Sequence, residues 1–153
     1  MAESTFDPHC LFCKIVVRQE PAFIVYENDG ALAFMDLSPV PEGHALVIPK
    51  THCRNLYDFP DDSARDCLHA SRVVANALRE ALSADGMSFY LATERAGAQH
   101  IFHAHFHLYP RWYHDGLLKF QAEPEKLHRG DASREGMERL AAKIRANLHG
   151  DSE

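Results

Sequence analysis

Hydrophobic and polar positions alternate with two different periods along this 153-residue chain, and the change of period marks its elements. Phe23–Glu27 (FIVYE) and Ala31–Met35 (ALAFM) are short β-rich runs, and Asn28-Asp29-Gly30 between them is a hairpin signal. The Pro-punctuated loop Asp36–Gly43 follows, then His44–Pro49 (HALVIP), a strand bounded by Gly and Pro. From Pro60 to Ala84 the period becomes helical. Cys67, Leu68, Ser71, Val74, Ala75, Leu78, Ala81 and Leu82 recur at spacings of three and four, with Asp61 or Asp62 as N-cap and Gly86 beyond the C-terminus. Met87–Thr93 reads as a strand and Glu94–Ala98 as a loop.

The stretch Gln99–Arg111 (QHIFHAHFHLYPR) is the most regular in the chain. His103, His105 and His107 recur at every second residue, with Ala104, Phe106 and Leu108 between them. Side chains alternate faces along a strand, so the spacing predicts three imidazoles on one face, roughly 6.5–7 Å apart, ending at Pro110. Residues 112–130 are polar and irregular, and a second amphipathic helix is predicted from Ala132 to Leu148, with Met137, Leu140, Ala141, Ile144 and Leu148 as its apolar stripe. Hairpin-linked strands, a long helix and further strands predict an α+β fold: an antiparallel sheet of about five strands, one long helix and one C-terminal helix. The chain reads as a single domain, 1–153, with a core over 10–111 and a C-terminal loop and helix over 112–149.

Composition narrows the function. With 46% hydrophobic and 25% charged residues the chain reads as a globular protein with a buried core. A net charge of −6 argues against a general nucleic-acid binder, yet a small phosphate ligand can be met locally. The absence of a membrane-length apolar run and of a signal-peptide layout in residues 1–9 leads to the expectation of a cytoplasmic protein with no membrane partner. In that compartment the Cys10-x-x-Cys13 spacing favours thiols or a metal over disulfides.

Three imidazoles on one face suit either a zinc centre or a phosphate-handling nucleophile. Gly97 in the preceding loop brings backbone N–H groups near a phosphate, and His44, at the head of another strand, is placed to join the cluster.

His103-Ala-His105-Phe-His107-Leu-Tyr109 resembles the histidine triad (HIT) signature, His-φ-His-φ-His-φ-φ with φ hydrophobic. Cys10-Leu-Phe-Cys13-Lys-Ile15, Ala33–Pro39 (AFMDLSP) and Gly43–His52 (GHALVIPKTH) resemble further segments of that family, in its order, so the likeness spans about residues 10–111. The resemblance is to the Hint-like branch, zinc-containing and bacterial in type. It implies a HIT-like fold, a homodimer, and a hydrolase or transferase acting on the α-phosphate of purine nucleotide conjugates such as AMP phosphoramidates.

The same resemblance assigns roles. His105 is the nucleophile that carries the nucleotidyl group. His107 and His44 contact the α-phosphate oxygens, and Gln99 lies near the leaving group. Asp36 accepts hydrogen bonds from the ribose, and Phe12, Ile15, Phe34 and Leu37 form an apolar slot for the base, a reading that competes with plain core packing. Cys10, Cys13, His52 and His103 form a structural zinc site, so that His103 acts in catalysis indirectly by anchoring the triad. One departure stands out. Where many members carry Asn and, two residues later, Gly, this chain has Ala92-Thr93-Glu94. It motivates an alternative reading, a zinc-stabilised nucleotide-binding or interaction module with little turnover.

Overall fold

The computed structural model describes residues 6–37, 41–116, 131 and 133–146. A short helix α1 (Leu11–Val16) leads to strands β1 (Ile24–Glu27), β2 (Ala31–Met35) and β3 (Ala45–Pro49). The long helix α2 (Asp61–Leu82) follows, then β4 (Gly86–Leu91) and β5 (Phe106–Arg111). The five strands form one sheet in the order β1-β2-β3-β5-β4, every pair antiparallel. The predicted α+β architecture is therefore present. Chain contacts divide it into two compact units, residues 1–115 and 116–153. In the second, α3 (Arg134–Ala146) starts at Ser133, whose Oγ accepts the Gly136 N–H at 3.1 Å. The predicted stripe of α3 is described at Leu140, half exposed, and Ala141; Leu148 and the side chains of Met137 and Ile144 lie outside the described residues.

Local chemistry explains the hairpin. Asn28 Oδ1 accepts the N–H groups of Gly30 and Ala31 at 3.1 and 2.7 Å, an Asx turn that reverses the chain between β1 and β2. A side chain at Gly30 would collide with Asp66 of α2, so the turn and the helix are matched.

The central strands β2 and β3 are buried on both faces. Ala31, Ala33, Ala45, Val47 and Leu108 pack on Cys67, Ala70 and Val74 of α2. Leu32, Phe34, Leu46 and Ile48 pack on Phe12 and Ile15 of α1. Alternation along β2 and β3 thus feeds two cores, which is why these strands read as continuous apolar runs. His107 is paired with Leu46 and shares the α1 side; Phe106 and Leu108 turn toward α2, which covers the back of this strand.

Several expectations are corrected. β5 begins at Phe106, so His103 and His105 precede the strand and only His107 belongs to it. Pro110 lies inside β5, opposite Met87; pairing with β3 ends at Leu108, so its missing N–H interrupts no ladder on that side. Helix α2 is capped by Pro60 and ends at Ser83 in the left-handed conformation (φ 50°), while Gly86 starts β4. Leu68 is 59% exposed and Ala70 takes its place in the core. β4 stops at Leu91, so Thr93 falls in the following loop.

Candidate active site

The Cys-x-x-Cys pair is shaped by α1. Cys10 is its N-cap, and its Sγ lies 3.5 Å from the Cys13 N–H, so one helical turn sets the two sulfurs side by side. His52 and His103 reach the same point from the loops after β3 and before β5. Cys13 Sγ is 3.3 Å from His52 Nδ1 and 3.6 Å from His103 Nδ1, and Cys10 Sγ is 3.4 Å from His103 Nδ1. All four ligand atoms lie within 4.8 Å of one another. A tetrahedron with Zn–S near 2.3 Å and Zn–N near 2.0–2.1 Å has S···N edges of about 3.6 Å, so the donor set fits zinc in spacing and in type. The His103 Nε2–H donates to the Pro49 carbonyl at 2.9 Å, which leaves Nδ1 with a lone pair for a metal. Burial pushes the Cys13 thiol up to about 11 and His103 down to about 4: an imidazole kept neutral, and a thiol that needs a cation beside it to ionise.

Two residues further on, the chain turns to the other pole of the site. His105 is buried, and its Nδ1–H donates to the His103 carbonyl at 2.7 Å. That bond assigns the tautomer: Nε2 carries the lone pair. Burial holds His105 below the usual histidine range, with the neighbouring imidazoles His44 and His100 acting in the same direction. The first triad histidine therefore serves the second through its backbone, while its ring belongs to the cysteines.

His107 completes the centre with His44. His44 Nε2 and His107 Nδ1 are 3.1 Å apart, and Asp36 Oδ2 lies 3.7 Å from His44 Nδ1. The carboxylate favours a proton on that nitrogen, and His44 Nε2 and His107 Nδ1 share one proton between them. Burial and the adjacent His105 depress His107 to about 4. His105, His107, His44 and Asp36 line one cavity of about 360 Å³.

An aromatic wall stands beside this centre. Tyr109 stacks on His44 with ring centroids 4.0 Å apart, and Tyr90 stacks on His107 at 4.4 Å. The two tyrosine hydroxyls are hydrogen-bonded to each other at 3.1 Å. Tyr109, two residues beyond His107, shares its face by strand alternation, a usable signal. Tyr90 arrives through the β4–β5 register, opposite His107, which no local pattern announces.

A second cavity of about 180 Å³ adjoins the first, sharing Phe12, Asp36, Leu46 and Ile101. It contains Phe12, Ile15, Phe34 and Leu37, the four residues expected around a base. Phe12, Ile15 and Phe34 are also core residues, whereas Leu37 is 81% exposed at the rim.

Gln99 is placed elsewhere. It is buried, and it does not line the cavity. Its Oε1 accepts the Glu94 N–H at 2.9 Å and its Nε2 donates to the carbonyls of Arg54 and Ile101 at 2.7 and 3.0 Å. The amide is fully engaged in holding the loop 94–101. Within that loop Glu94 sits at φ 61°, ψ 168°, a conformation that glycine adopts freely, and Glu94 occupies the position where many relatives of the resembled family carry Gly. Ala92, at the Asn position, is buried; Thr93 does not substitute for that amide, because its Oγ1 is buried without a hydrogen-bond partner among the described residues.

These contacts match what comparison with known proteins finds. The model of the HIT domain family matches residues 17–114. The chain is 36% identical over 141 residues to the protein named hit of Bacillus subtilis, covering 92% of this chain and 94% of that one. It is 36% identical over 110 residues to the adenosine 5′-monophosphoramidase of Saccharomyces cerevisiae, covering 72% and 67% of the two chains. Among solved structures, a zinc-bound histidine triad family protein from Mycobacterium smegmatis superimposes with a TM-score of 0.68 at 32% identity, covering 92% of this chain and 98% of the other. The three histidines that share one short stretch but divide between a cysteine cluster and a cavity are thus those of a HIT domain, and the chain belongs to the histidine triad family.

Proposed function

We propose that this protein is a nucleotide hydrolase or transferase that attacks the α-phosphate of AMP-like conjugates through a nucleotidyl-His105 intermediate. The observation that carries this reading is the 2.7 Å bond from His105 Nδ1 to the His103 carbonyl, which reserves Nε2 for attack inside a cavity bordered by two more imidazoles. As the P–N bond forms, the bond to the leaving group breaks. His107 and His44 stabilise the charge that develops on the phosphoryl oxygens, and water then releases the nucleotide and restores His105. Asp36, at the junction of the two cavities, faces the ribose, and the apolar cavity takes the base. The yeast relative's name, a monophosphoramidase, supports the reaction class.

Cys10, Cys13, His52 and His103 would hold a structural zinc ion, which supplies a fixed anchor for the backbone that orients His105. We further assign the chain, by its family, to a cytoplasmic homodimer with no nucleic-acid or membrane partner; no described helix is long and apolar enough to cross a membrane.

A His105→Asn variant tests the assignment. Turnover of an AMP phosphoramidate should fall by several orders of magnitude while the fold and AMP binding persist. Wild-type protein that binds AMP by calorimetry yet turns over no phosphoramidate would instead support the binding-module reading that Ala92 motivates.

A further inference from the structure

Four aromatic rings from three neighbouring strands meet beside the cavity. His44 immediately precedes β3, His107 and Tyr109 belong to β5, and Tyr90 lies opposite His107 on β4. Ala45 pairs with Leu108, so the next step of that register sets His44 beside Tyr109. Neighbouring strands run about 4.8 Å apart, a spacing at which flat side chains on one face meet ring against ring. Tyr109 covers His44 with centroids 4.0 Å apart and Tyr90 covers His107 at 4.4 Å, at interplanar angles of 16° and 15°. The two imidazoles are 17° from parallel and the two phenol rings 11°. Each like pair is also joined at its edge, the imidazoles through Nε2 and Nδ1 at 3.1 Å and the tyrosines through their hydroxyls at 3.1 Å.

An imidazole acts through nitrogens that lie in its ring plane, and the last torsion of a histidine side chain is broad. The plane must therefore be held from outside. His103 and His105 each donate to a backbone carbonyl, which fixes their rings. Among the described residues, the hydrogen bond of the His107 ring goes instead to His44, another side chain that can itself turn. A ring with a tyrosine face 4.0 or 4.4 Å away cannot turn edge-on without entering that face. With Nδ1 engaged by His44, Nε2 is the nitrogen that His107 keeps for a phosphoryl oxygen.

We infer that Tyr109 and Tyr90 are positioning residues: their ring faces lock the planes of His44 and His107, so that the pair is aimed before a phosphate arrives. The inference rests on the nucleotidyl-transfer reading above. The faces carry the effect and the hydroxyls do not, so phenylalanine replaces either tyrosine and leucine replaces neither.

Steady-state kinetics on an AMP phosphoramidate decide it, with Phe and Leu variants at each tyrosine. Tyr109→Leu should lower kcat about a hundredfold while KM stays within about threefold. Tyr90→Leu should act in the same direction by a smaller factor, since Tyr90 lies on the edge strand and is 43% exposed. Tyr109→Phe and Tyr90→Phe should restore kcat to within about threefold of the wild type. In 15N-labelled protein, the hydrogen-bonded imidazole proton that disappears in His107→Gln should persist in both Phe variants and be lost to exchange in Tyr109→Leu. Phe and Leu variants equally impaired would move the role to the hydroxyls, and a change confined to KM would mean direct contact with substrate. Either result, or a Leu variant as active as the wild type, overturns the clamp and leaves the hydrolase reading intact. If Tyr109→Leu does not fold, Tyr90→Leu decides by the same criteria. Wild-type protein inactive on the phosphoramidate overturns the hydrolase reading and this inference with it.

Discussion

Arg54 donates from Nε and Nη2 to the two carboxylate oxygens of Glu94, at 2.8 and 2.9 Å, and so clasps a residue whose backbone lies at φ 61°. Asn55 Nδ2 adds a third bond to Glu94 Oε1 at 2.7 Å, and Gln99 Oε1 and the N–H groups of Gly97 and Gln99 engage the Glu94 backbone. An unfavourable conformation persists only where its surroundings over-determine it, and here they do. The loop so held carries Ala98, His100 and Ile101 to the cavity. Glu94→Ala keeps the strained backbone without the clasp, whereas Glu94→Gly loses the clasp but relieves the strain. Thermal denaturation should therefore rank the wild type first, Glu94→Gly next and Glu94→Ala lowest, with Arg54→Ala below the wild type. An Ala variant as stable as the Gly variant would show that no strain is stored at this position.

The metal centre makes its own prediction. Elemental analysis of the purified wild type should find about one zinc per chain, and Cys13→Ala should lose it. His105→Asn should retain it, because His105 lies outside the ligand cluster. Chelation should lower Tm, because the native state loses the free energy of zinc binding, about 4 kcal/mol of stability where free zinc stands a thousandfold above its dissociation constant. Zinc retained after loss of Cys13 would place the metal on the triad instead.

Leu37 separates base binding from core packing. Phe12, Ile15 and Phe34 line the apolar cavity and belong to the core, so their removal damages the fold and the cavity together. Leu37 is 81% exposed, and a bound base would cover part of it. Partial burial of a leucine is worth about 1 kcal/mol, so Leu37→Ala should weaken AMP binding about fivefold by calorimetry with Tm unchanged. Unaltered affinity would remove Leu37 from the site.

Much of this architecture was legible because local chemistry determined it. Asn28-Asp29-Gly30 makes its turn with its own side chain, and Cys10-x-x-Cys13 is set by a single helical turn. Where the sequence reading failed, long-range geometry had decided the outcome. Ser83 ends α2 in place of Gly86, since Gly86 is recruited to pair with Arg111. The triad spacing is that of a strand, yet His103 is drawn off to the cysteines before the strand begins, so the three imidazoles do not share one ligand. Gln99, which the family resemblance sets near the leaving group, makes its three hydrogen bonds to backbone groups that only the folded loop supplies. Tyr90 became part of the site through register alone.

The depressed His107 gives the fold a signed dependence on pH. Its folded-state value of about 4 lies below the ordinary 6.5, because burial and the neighbouring His105 oppose a charge there. Between those two values the unfolded chain binds more protons at this residue than the folded one, so stability rises with pH across the window. The contribution is fully present above about pH 6.5 and is lost progressively as pH falls toward 4. Glutamine at this position fills similar space and does not titrate. Urea unfolding of wild type and His107→Gln between pH 4 and 7 should show the variant's stability falling less steeply with acid, the difference vanishing above pH 7. Parallel curves would mean that His107 takes up its proton as readily in the folded protein as in the unfolded chain.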